Sequence, residues 1–174
     1  HGDESTATMA LADIFRFLAD RDAHPLRERL RRELTLVFVP MLNPDGAELF
    51  RRQNAAGIDI NRDALRLQTP EGQILKALRD RLNPSVGFNL HNQNWRTSVG
   101  RTGKPAAMSL LAVSFDEARS DNPGRIRAKK VASIIRDAVE PLAPAMIGRY
   151  EDDFEVRAFG DNLTKWGTSV VLIE

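Results

Sequence analysis

The sequence predicts an α/β fold in which helices pack on both faces of a mixed, mostly parallel sheet. Short apolar segments rich in branched residues alternate with longer segments whose apolar residues recur at a helical period. The resulting order is helix–strand–helix–strand–helix–strand, and this alternation favours a sheet with helices packed on it. No internal repeat or low-complexity segment interrupts the pattern.

The size and composition fit a single globular domain. The chain has 174 residues, of which 42% are hydrophobic and 28% are charged, so we expect one domain over residues 1–174. The net charge of +1 gives no reason to expect a polyanionic partner such as nucleic acid. No apolar run approaches the ~18 residues of a membrane span. Because cysteine is absent, any metal site must use histidine, carboxylates and water.

Four segments are predicted to be helical. Residues 8–20 and 123–142 place apolar side chains three or four positions apart. In residues 25–34 and 69–82 a proline occupies the first helical position, and Thr69 can cap the second of these helices.

Four short apolar segments are predicted to be buried strands. They lie at residues 34–40, 85–92, 106–115 and 169–174, and they are rich in valine, leucine and isoleucine.

Polar residues follow three of these strands, namely Asn43, His91 and Glu174. In open α/β sheets, ligands bind beyond the carboxyl ends of the strands, so we expect these residues near a functional site. The NPDG sequence at 43–46 predicts a turn, and residues 57–61 are predicted to be a short extended segment.

Three side chains are candidates to ligate one zinc ion. His1 and Glu4 are three positions apart, and with His91 they make a His₂Glu set that leaves one position for water. Zinc polarises a carbonyl group and brings the pKa of bound water toward neutrality. A separate carboxylate must then take the water's proton and pass it to the leaving amine, and Glu174 is the candidate. Taken singly, each residue also has an ordinary structural interpretation.

Arginines in the middle of the chain suggest recognition of an anion. Arg51, Arg52, Asn61 and Arg62 lie in the turn-rich residues 42–63. A guanidinium group binds a carboxylate through two parallel hydrogen bonds, as recognition of a peptide's terminal carboxylate requires. A second arginine can stabilise the oxyanion that develops when water adds to a carbonyl.

Five motifs together resemble the zinc carboxypeptidase family typified by carboxypeptidase A. They are HGDE, LNPDG, RRQNAAGIDINRD, NLHNQ and SVVLIE, in the family's order, and GIDINRD is the most specific. The resemblance covers the motifs of the whole chain and implies a zinc-exopeptidase-like sheet. In that family more chain precedes the first motif and follows the last. The resemblance therefore implies a partial domain, cropped at both ends.

The resemblance also implies the metal and the catalytic groups. His1, Glu4 and His91 match the ligands of one Zn²⁺ per chain, and Glu174 matches the general acid/base. Arg52 matches the arginine that polarises the scissile carbonyl, with its neighbour Arg51 as the alternative.

The same resemblance implies how substrate is held. Asn61 and Arg62 match the pair that grips the substrate's terminal carboxylate, and Asp59 is expected to support a ligand histidine. Tyr150 stands 24 residues before Glu174, close to the family's mobile substrate-covering tyrosine, although the surrounding sequence differs.

Two further positions bear on the metal site and on specificity. Asn89 stands where the family often has an acidic residue two positions before the second histidine. Asp161 lies 13 positions before Glu174, near the family's pocket residues, where it would favour a basic side chain or cap a turn.

The function implied is that of a zinc-dependent metallocarboxypeptidase whose peptide substrates carry a free C-terminal carboxylate. Two alternatives stay open. One is a zinc-dependent deacylase or amidase acting on small N-acyl amino acids or cell-wall peptides, and the other is an inactive binding module of the same fold. The family's habit favours a secreted or periplasmic location.

Overall fold

The computed structural model describes all residues, 1–174, and contains a four-stranded sheet surrounded by helices. The helices are α1 (Thr6–Ala19), α2 (Pro25–Glu33), α3 (Pro44–Glu48), α4 (Pro70–Leu82), α5 (Pro123–Val139) and α6 (Phe159–Lys165), and a 3₁₀ helix covers Ile60–Arg62. The strands are β1 (Val86–Leu90), β2 (Met108–Ala112), β3 (Ile147–Arg149) and β4 (Ser169–Ile173). None of the helices is both long and apolar enough to cross a membrane.

The strands are ordered β1–β4–β2–β3 in the sheet. β1 pairs with β4 in parallel and β2 pairs with β3 in parallel, whereas the central pair β4 and β2 is antiparallel. The predicted α/β class, with its mixed and mostly parallel sheet, is confirmed.

Helices cover both faces of this sheet. Successive strand residues point to opposite sides, so each face presents side chains to a helix. On one face Ala128 of α5 packs against Leu110, Ala112 and Val171, all of them buried. On the other face, α6 approaches so closely that a Cβ on Gly160 would lie 3.5 Å from the Val113 side chain.

Local sequence signals explain where three of the helices begin. Three N-terminal helix caps accept a hydrogen bond from the backbone N–H three residues on, and each cap is followed by proline. The bonds run from Gly46 to Asn43, from Gly72 to Thr69 and from Arg125 to Asn122. The helices predicted at residues 8–20, 25–34, 69–82 and 123–142 correspond to α1, α2, α4 and α5.

The strand predicted at residues 34–40 is wrong. This segment pairs with no strand of the sheet, and Leu34 and Val37 are each more than half exposed. Its apolar, β-branched composition indicates an extended chain, but a strand also requires a partner with free backbone groups. The segment instead contacts α1, where the Phe38 and Phe15 rings lie 4.3 Å apart.

Two smaller predictions also differ from the structure. The turn predicted at 43–46 is the capped start of α3, and residues 57–61 end in the 3₁₀ helix rather than staying extended. Sequence patterns did not predict β3 or α6, since β3 has three residues and α6 has seven, too few for a periodic signal.

The first residues of the chain pack tightly on α3. A Cβ on the buried Gly2 would lie 2.2 Å from the carbonyl carbon of Gly46 and 2.3 Å from the carbonyl oxygen of Arg51. Only glycine allows this approach, and it holds His1 and Glu4 beside the segment that carries Arg52.

We expect the substitution Gly2→Ala to destabilise the protein, because the added methyl group has no space. Overpacking of this kind costs roughly 1–3 kcal/mol, and each kcal/mol lowers the unfolding midpoint of a chain this long by about 2–4 °C. Thermal unfolding followed by circular dichroism measures the change. The control Ser5→Ala alters an exposed side chain that caps nothing and leaves the midpoint unchanged. Equal midpoints for both variants would contradict the packing argument.

Candidate active site

Parallel pairing of β1 and β4 brings two candidate residues to one edge of the sheet. His91 follows β1 and Glu174 follows β4, and the His91 N–H donates to the Ile173 carbonyl at 2.8 Å. Glu174 is also held by Ser109, since each backbone N–H donates to the other residue's carbonyl at 2.9 Å. Backbone bonds on both sides of β4 therefore fix the position of Glu174.

Two histidines converge on one carboxylate at this edge. The Nδ1 atom of His1 lies 2.7 Å from Oε1 of Glu4, and the Nδ1 atom of His91 lies 2.6 Å from Oε2 of Glu4. One ligand atom from each residue lies within 4.8 Å of the others, and all three residues are partly buried. Two imidazoles and one carboxylate converging in this way form a donor set suited to zinc.

Asp59 and Arg52 surround His1. Asp59 Oδ1 lies 3.3 Å from His1 Nε2, while Asp59 Oδ2 accepts from the Nε–H of Arg52 at 2.8 Å. Arg52 Nη1 lies 3.4 Å from His1 Nδ1 and 3.9 Å from Glu4 Oε1. A carboxylate on the second nitrogen is the usual support of a metal-ligating histidine.

The cluster strongly shifts the pKa values of its members. Burial alone would lower the pKa of His1, but the Asp59 and Glu4 carboxylates outweigh it and raise that pKa to about 9. Burial alone would raise the pKa of Glu4, but hydrogen bonds with His1 and His91 lower it to about 2. The pKa of Asp59 falls well below its usual range, because contacts with His1 and Arg52 outweigh burial. Both carboxylates are therefore ionised near neutral pH.

Glu174 has the opposite shift. Burial and the negative charge of Glu4 raise its pKa from 4.5 to about 7, against smaller opposing effects of His1, Arg52 and Tyr150. A carboxyl group with a pKa near neutrality can both accept and return a proton, as a general acid/base must.

Asn61 and Arg62 lie on the 3₁₀ helix at one side of the cluster. The Asn61 side chain accepts from the Phe159 N–H at 2.9 Å, and its Nδ2 atom lies 3.4 Å from His91 Nε2. Arg62 donates from Nη1 to the Asn61 carbonyl at 2.8 Å, and its Nε lies 3.4 Å from Oε2 of Glu155. The Nη2 atom of Arg62 makes no hydrogen bond within the chain and is available to bind an anion.

A cleft of about 340 Å³ joins these groups. Its floor includes Leu111, Val113 and Leu172, which lie on the sheet face opposite α5. The following residues of its wall are acidic: Glu151, Asp153, Glu155 and Asp161. Burial raises the pKa of Asp161 to about 6, whereas Arg157 lowers that of Glu155 to about 2.

The structure brings together most of the residues to which the sequence assigned a role. The following predicted site residues all line the cleft: His1, Glu4, Arg52, Asn61, Arg62, His91, Tyr150 and Glu174. Asn89 and Asp161 also reach it, whereas the alternative Arg51 is exposed and does not.

Sequence reasoning missed the acidic wall. The run EDDFE at residues 151–155 is clearly acidic, but nothing in the sequence indicates that it lines the same cleft as the candidate metal ligands. It also missed the ion pair between Arg62 and Glu155, because these residues are far apart in the chain.

Comparison with known proteins indicates, over most of the chain, the same family that the sequence motifs resemble. Residues 1–110 match the family model described as zinc carboxypeptidase. The chain is 27% identical over 124 residues to a probable carboxypeptidase 2 of Trichophyton verrucosum, covering 70% of this chain and 23% of that protein. It therefore spans about a quarter of the length of this curated relative.

Two solved structures resemble the fold. A metallo-carboxypeptidase from Burkholderia cenocepacia superposes with a TM-score of 0.73 at 19% identity, covering 100% of this chain and 45% of that chain. The murein-tripeptide amidase MpaA from Escherichia coli O157 superposes with a TM-score of 0.51 at 18% identity, covering 99% and 67%. At these sequence identities, the structural similarity shows only that the fold is shared. The match to the family model shows which family the chain belongs to. The chain belongs to the zinc carboxypeptidase family.

Proposed function

We propose that this protein is a zinc-dependent carboxypeptidase that removes C-terminal residues from peptides. The observation that carries the proposal is the convergence of His1, Glu4 and His91 in one cleft with Glu174. Arg52 and Arg62 provide positive charge in the same cleft. The parts needed for metal-assisted hydrolysis of an anionic substrate are thus within reach of one another.

The residues present fit a zinc ion. His1, Glu4 and His91 would hold it, with Asp59 supporting the ring of His1 through Nε2. Bound zinc would supply a Lewis acid for the scissile carbonyl and would acidify a water molecule.

The chain's own residues would bind and orient the substrate. Arg62 lines the cleft, and its Nη2 atom is available for the terminal carboxylate while Nη1 is held by the Asn61 carbonyl. Tyr150 lies on the cleft with its side chain about one-third exposed, where it can cover a bound peptide.

Glu174 and Arg52 would act on the reacting groups. Glu174 would take a proton from the attacking water and return it to the leaving amine, a role that its raised pKa suits. Arg52, fixed by Asp59, would donate to the oxyanion that forms at the scissile carbonyl.

The site draws on residues from His1 to Glu174, so we further propose that residues 1–174 are part of a single catalytic domain. A secreted or periplasmic location stays a prediction. The murein-tripeptide amidase resembles this chain in fold only. The amidase alternative is therefore one of the outcomes that the substrate-release experiment distinguishes.

The first test combines metal analysis with substrate release. We expect one zinc per chain and release of C-terminal amino acids from a mixed peptide pool, followed by mass spectrometry. Because Glu174 is the proposed general acid/base, Glu174→Gln should lower the rate about 10²–10⁴-fold. Glu117→Gln, which neutralises an exposed glutamate outside the cleft, should retain activity.

Other outcomes select the alternatives. Zinc binding without release of any amino acid would contradict the peptidase and direct the assay to N-acyl amino acids and cell-wall peptides. A protein with neither zinc nor activity would support the binding module.

The proposed carboxylate site predicts a preference for free C-termini. Wild-type protein should cleave a peptide acid much faster than the same peptide as its C-terminal amide. Arg62→Gln should lower kcat/KM on the acid about 10–100-fold, as expected for loss of a hydrogen bond to a charged group. Arg81→Gln, at an exposed position on α4, is the matched control. An equal loss on acid and amide would contradict the role of Arg62 in carboxylate binding.

The raised pKa of Glu174 predicts a pH-dependent effect on stability. Its pKa is about 7 in the folded protein and 4.5 ordinarily, so the fold disfavours the ionised group and loses stability as the pH rises between these values. In metal-free protein, Glu174→Gln should therefore raise the unfolding midpoint at pH 8, by about 2–4 °C per kcal/mol removed. The difference should vanish near pH 4. Calorimetry at both pH values tests this, and a pH-independent difference would contradict it.

A further inference from the structure

A basic hairpin rises directly after the candidate ligand His91. Residues 97–106 fold back on themselves, with bonds from the Val99 N–H to the Lys104 carbonyl at 3.0 Å and from the Ala106 N–H to the Thr97 carbonyl at 2.8 Å. Ser98 and Pro105 form an isolated bridge between the two arms. The hairpin then leads into β2.

The base of the hairpin is tied to the catalytic edge of the sheet. Gln93 donates to the Ala106 carbonyl at 2.9 Å and accepts from the Ser109 hydroxyl at 2.7 Å. Ser109 is the residue whose backbone pairs with Glu174, and Asn92 lines the cleft itself. The hairpin therefore stands in a defined position beside the cleft.

This segment carries only positive charge. Residues 91–115 contain no aspartate or glutamate, whereas Arg96, Arg101 and Lys104 are exposed and form no ion pair. Trp95 is 80% exposed, and the Arg96 guanidinium lies 4.8 Å above its ring. A stacked Trp–Arg pair presents both an apolar and a cationic surface to a ligand.

The acidic wall of the cleft lies on a different segment, residues 151–161. Arg62 and His91 line the same cleft, and Asn61 contacts the His91 ring at 3.4 Å, so a peptide whose terminal carboxylate is held at Arg62 would lie beside His91. Asn92 also lines the cleft, and the next residue, Gln93, is bonded to the hairpin. A longer peptide that leaves the cleft past Asn92 would therefore meet the positive charges of the hairpin.

We propose that the hairpin of residues 97–106, together with the preceding Trp95 and Arg96, is a docking surface for acidic residues of the peptide substrate on the amino side of the scissile bond. The inference rests on the proposed carboxypeptidase function and deepens it, since it names a sequence preference. Charge complementarity argues for this occupant: three unpaired cations and a stacked aromatic ring favour an acidic peptide over a neutral one.

The test compares two peptides that share the same last two residues. One carries three glutamates immediately upstream, and the other carries three glutamines. Wild-type protein should give a higher kcat/KM for the glutamate peptide, and the ratio should shrink as salt is raised, because exposed charges are screened. The triple variant Arg96→Gln, Arg101→Gln, Lys104→Gln should lower the ratio about tenfold, as expected for loss of three exposed charge contacts.

A charge-matched control separates this effect from net charge. The variant Arg21→Gln, Arg81→Gln, Lys130→Gln removes three exposed basic side chains that lie outside the cleft and form no ion pair. It should keep the wild-type ratio. An equal ratio in all three proteins, with active enzyme, would overturn the hairpin proposal while leaving the carboxypeptidase intact.

A binding measurement tests the proposal without requiring catalytic turnover of the peptide. The glutamate peptide is titrated as its C-terminal amide, and the fluorescence of Trp95 is followed against a Trp95→Phe variant. We expect a saturable change that requires Trp95 and weakens in the hairpin variant. Binding of RNA or of phosphatidylserine vesicles to the hairpin, without any preference for the glutamate peptide, would overturn the assignment to substrate.

Discussion

The parallel pairing of β1 with β4 is the constraint on which the site depends. It fixes His91 and Glu174 at one edge of the sheet, and the antiparallel pairing with β2 holds Glu174 from the other side. Hydrogen bonds of the main chain thus position a candidate ligand and a candidate acid/base independently of side-chain packing. The buried contacts of Val171 with α5 stabilise the strand that carries Glu174.

The second constraint is electrostatic. Glu4 and Asp59 place negative charge in a partly buried cluster, where His1 and Arg52 compensate it and His91 contacts Glu4. Partial burial strengthens these interactions relative to water. Burial, together with the negative charge of Glu4, also disfavours ionisation of Glu174. One cluster therefore both prepares a cation site and adjusts the acid/base beside it. The contact of Gly2 with α3 and Arg51 joins two of the three segments that supply this cluster.

Much of the candidate site could be predicted, because its residues lie in short segments with strong local signals. The strands before His91 and Glu174 are apolar and bounded, and Thr69 with Pro70 marks the start of α4. The strand expected at residues 34–40 failed, since composition indicates an extended chain but does not supply a partner. The ion pair of Arg62 with Glu155 could not be predicted, because it joins segments that are distant in sequence.

The sequence by itself determined which side chains are available for chemistry: two candidate histidine ligands, a carboxylate three residues from the first of them, and arginines within a GIDINRD motif. It also determined the alternation of helix and strand, because hydrophobic periodicity is local. Tertiary structure alone decided that residues 151–161 form an acidic wall and that the hairpin after His91 presents positive charge beside the cleft. These arrangements depend on which strands pair and which segments meet across the sheet, and such long-range contacts leave no local pattern in the chain.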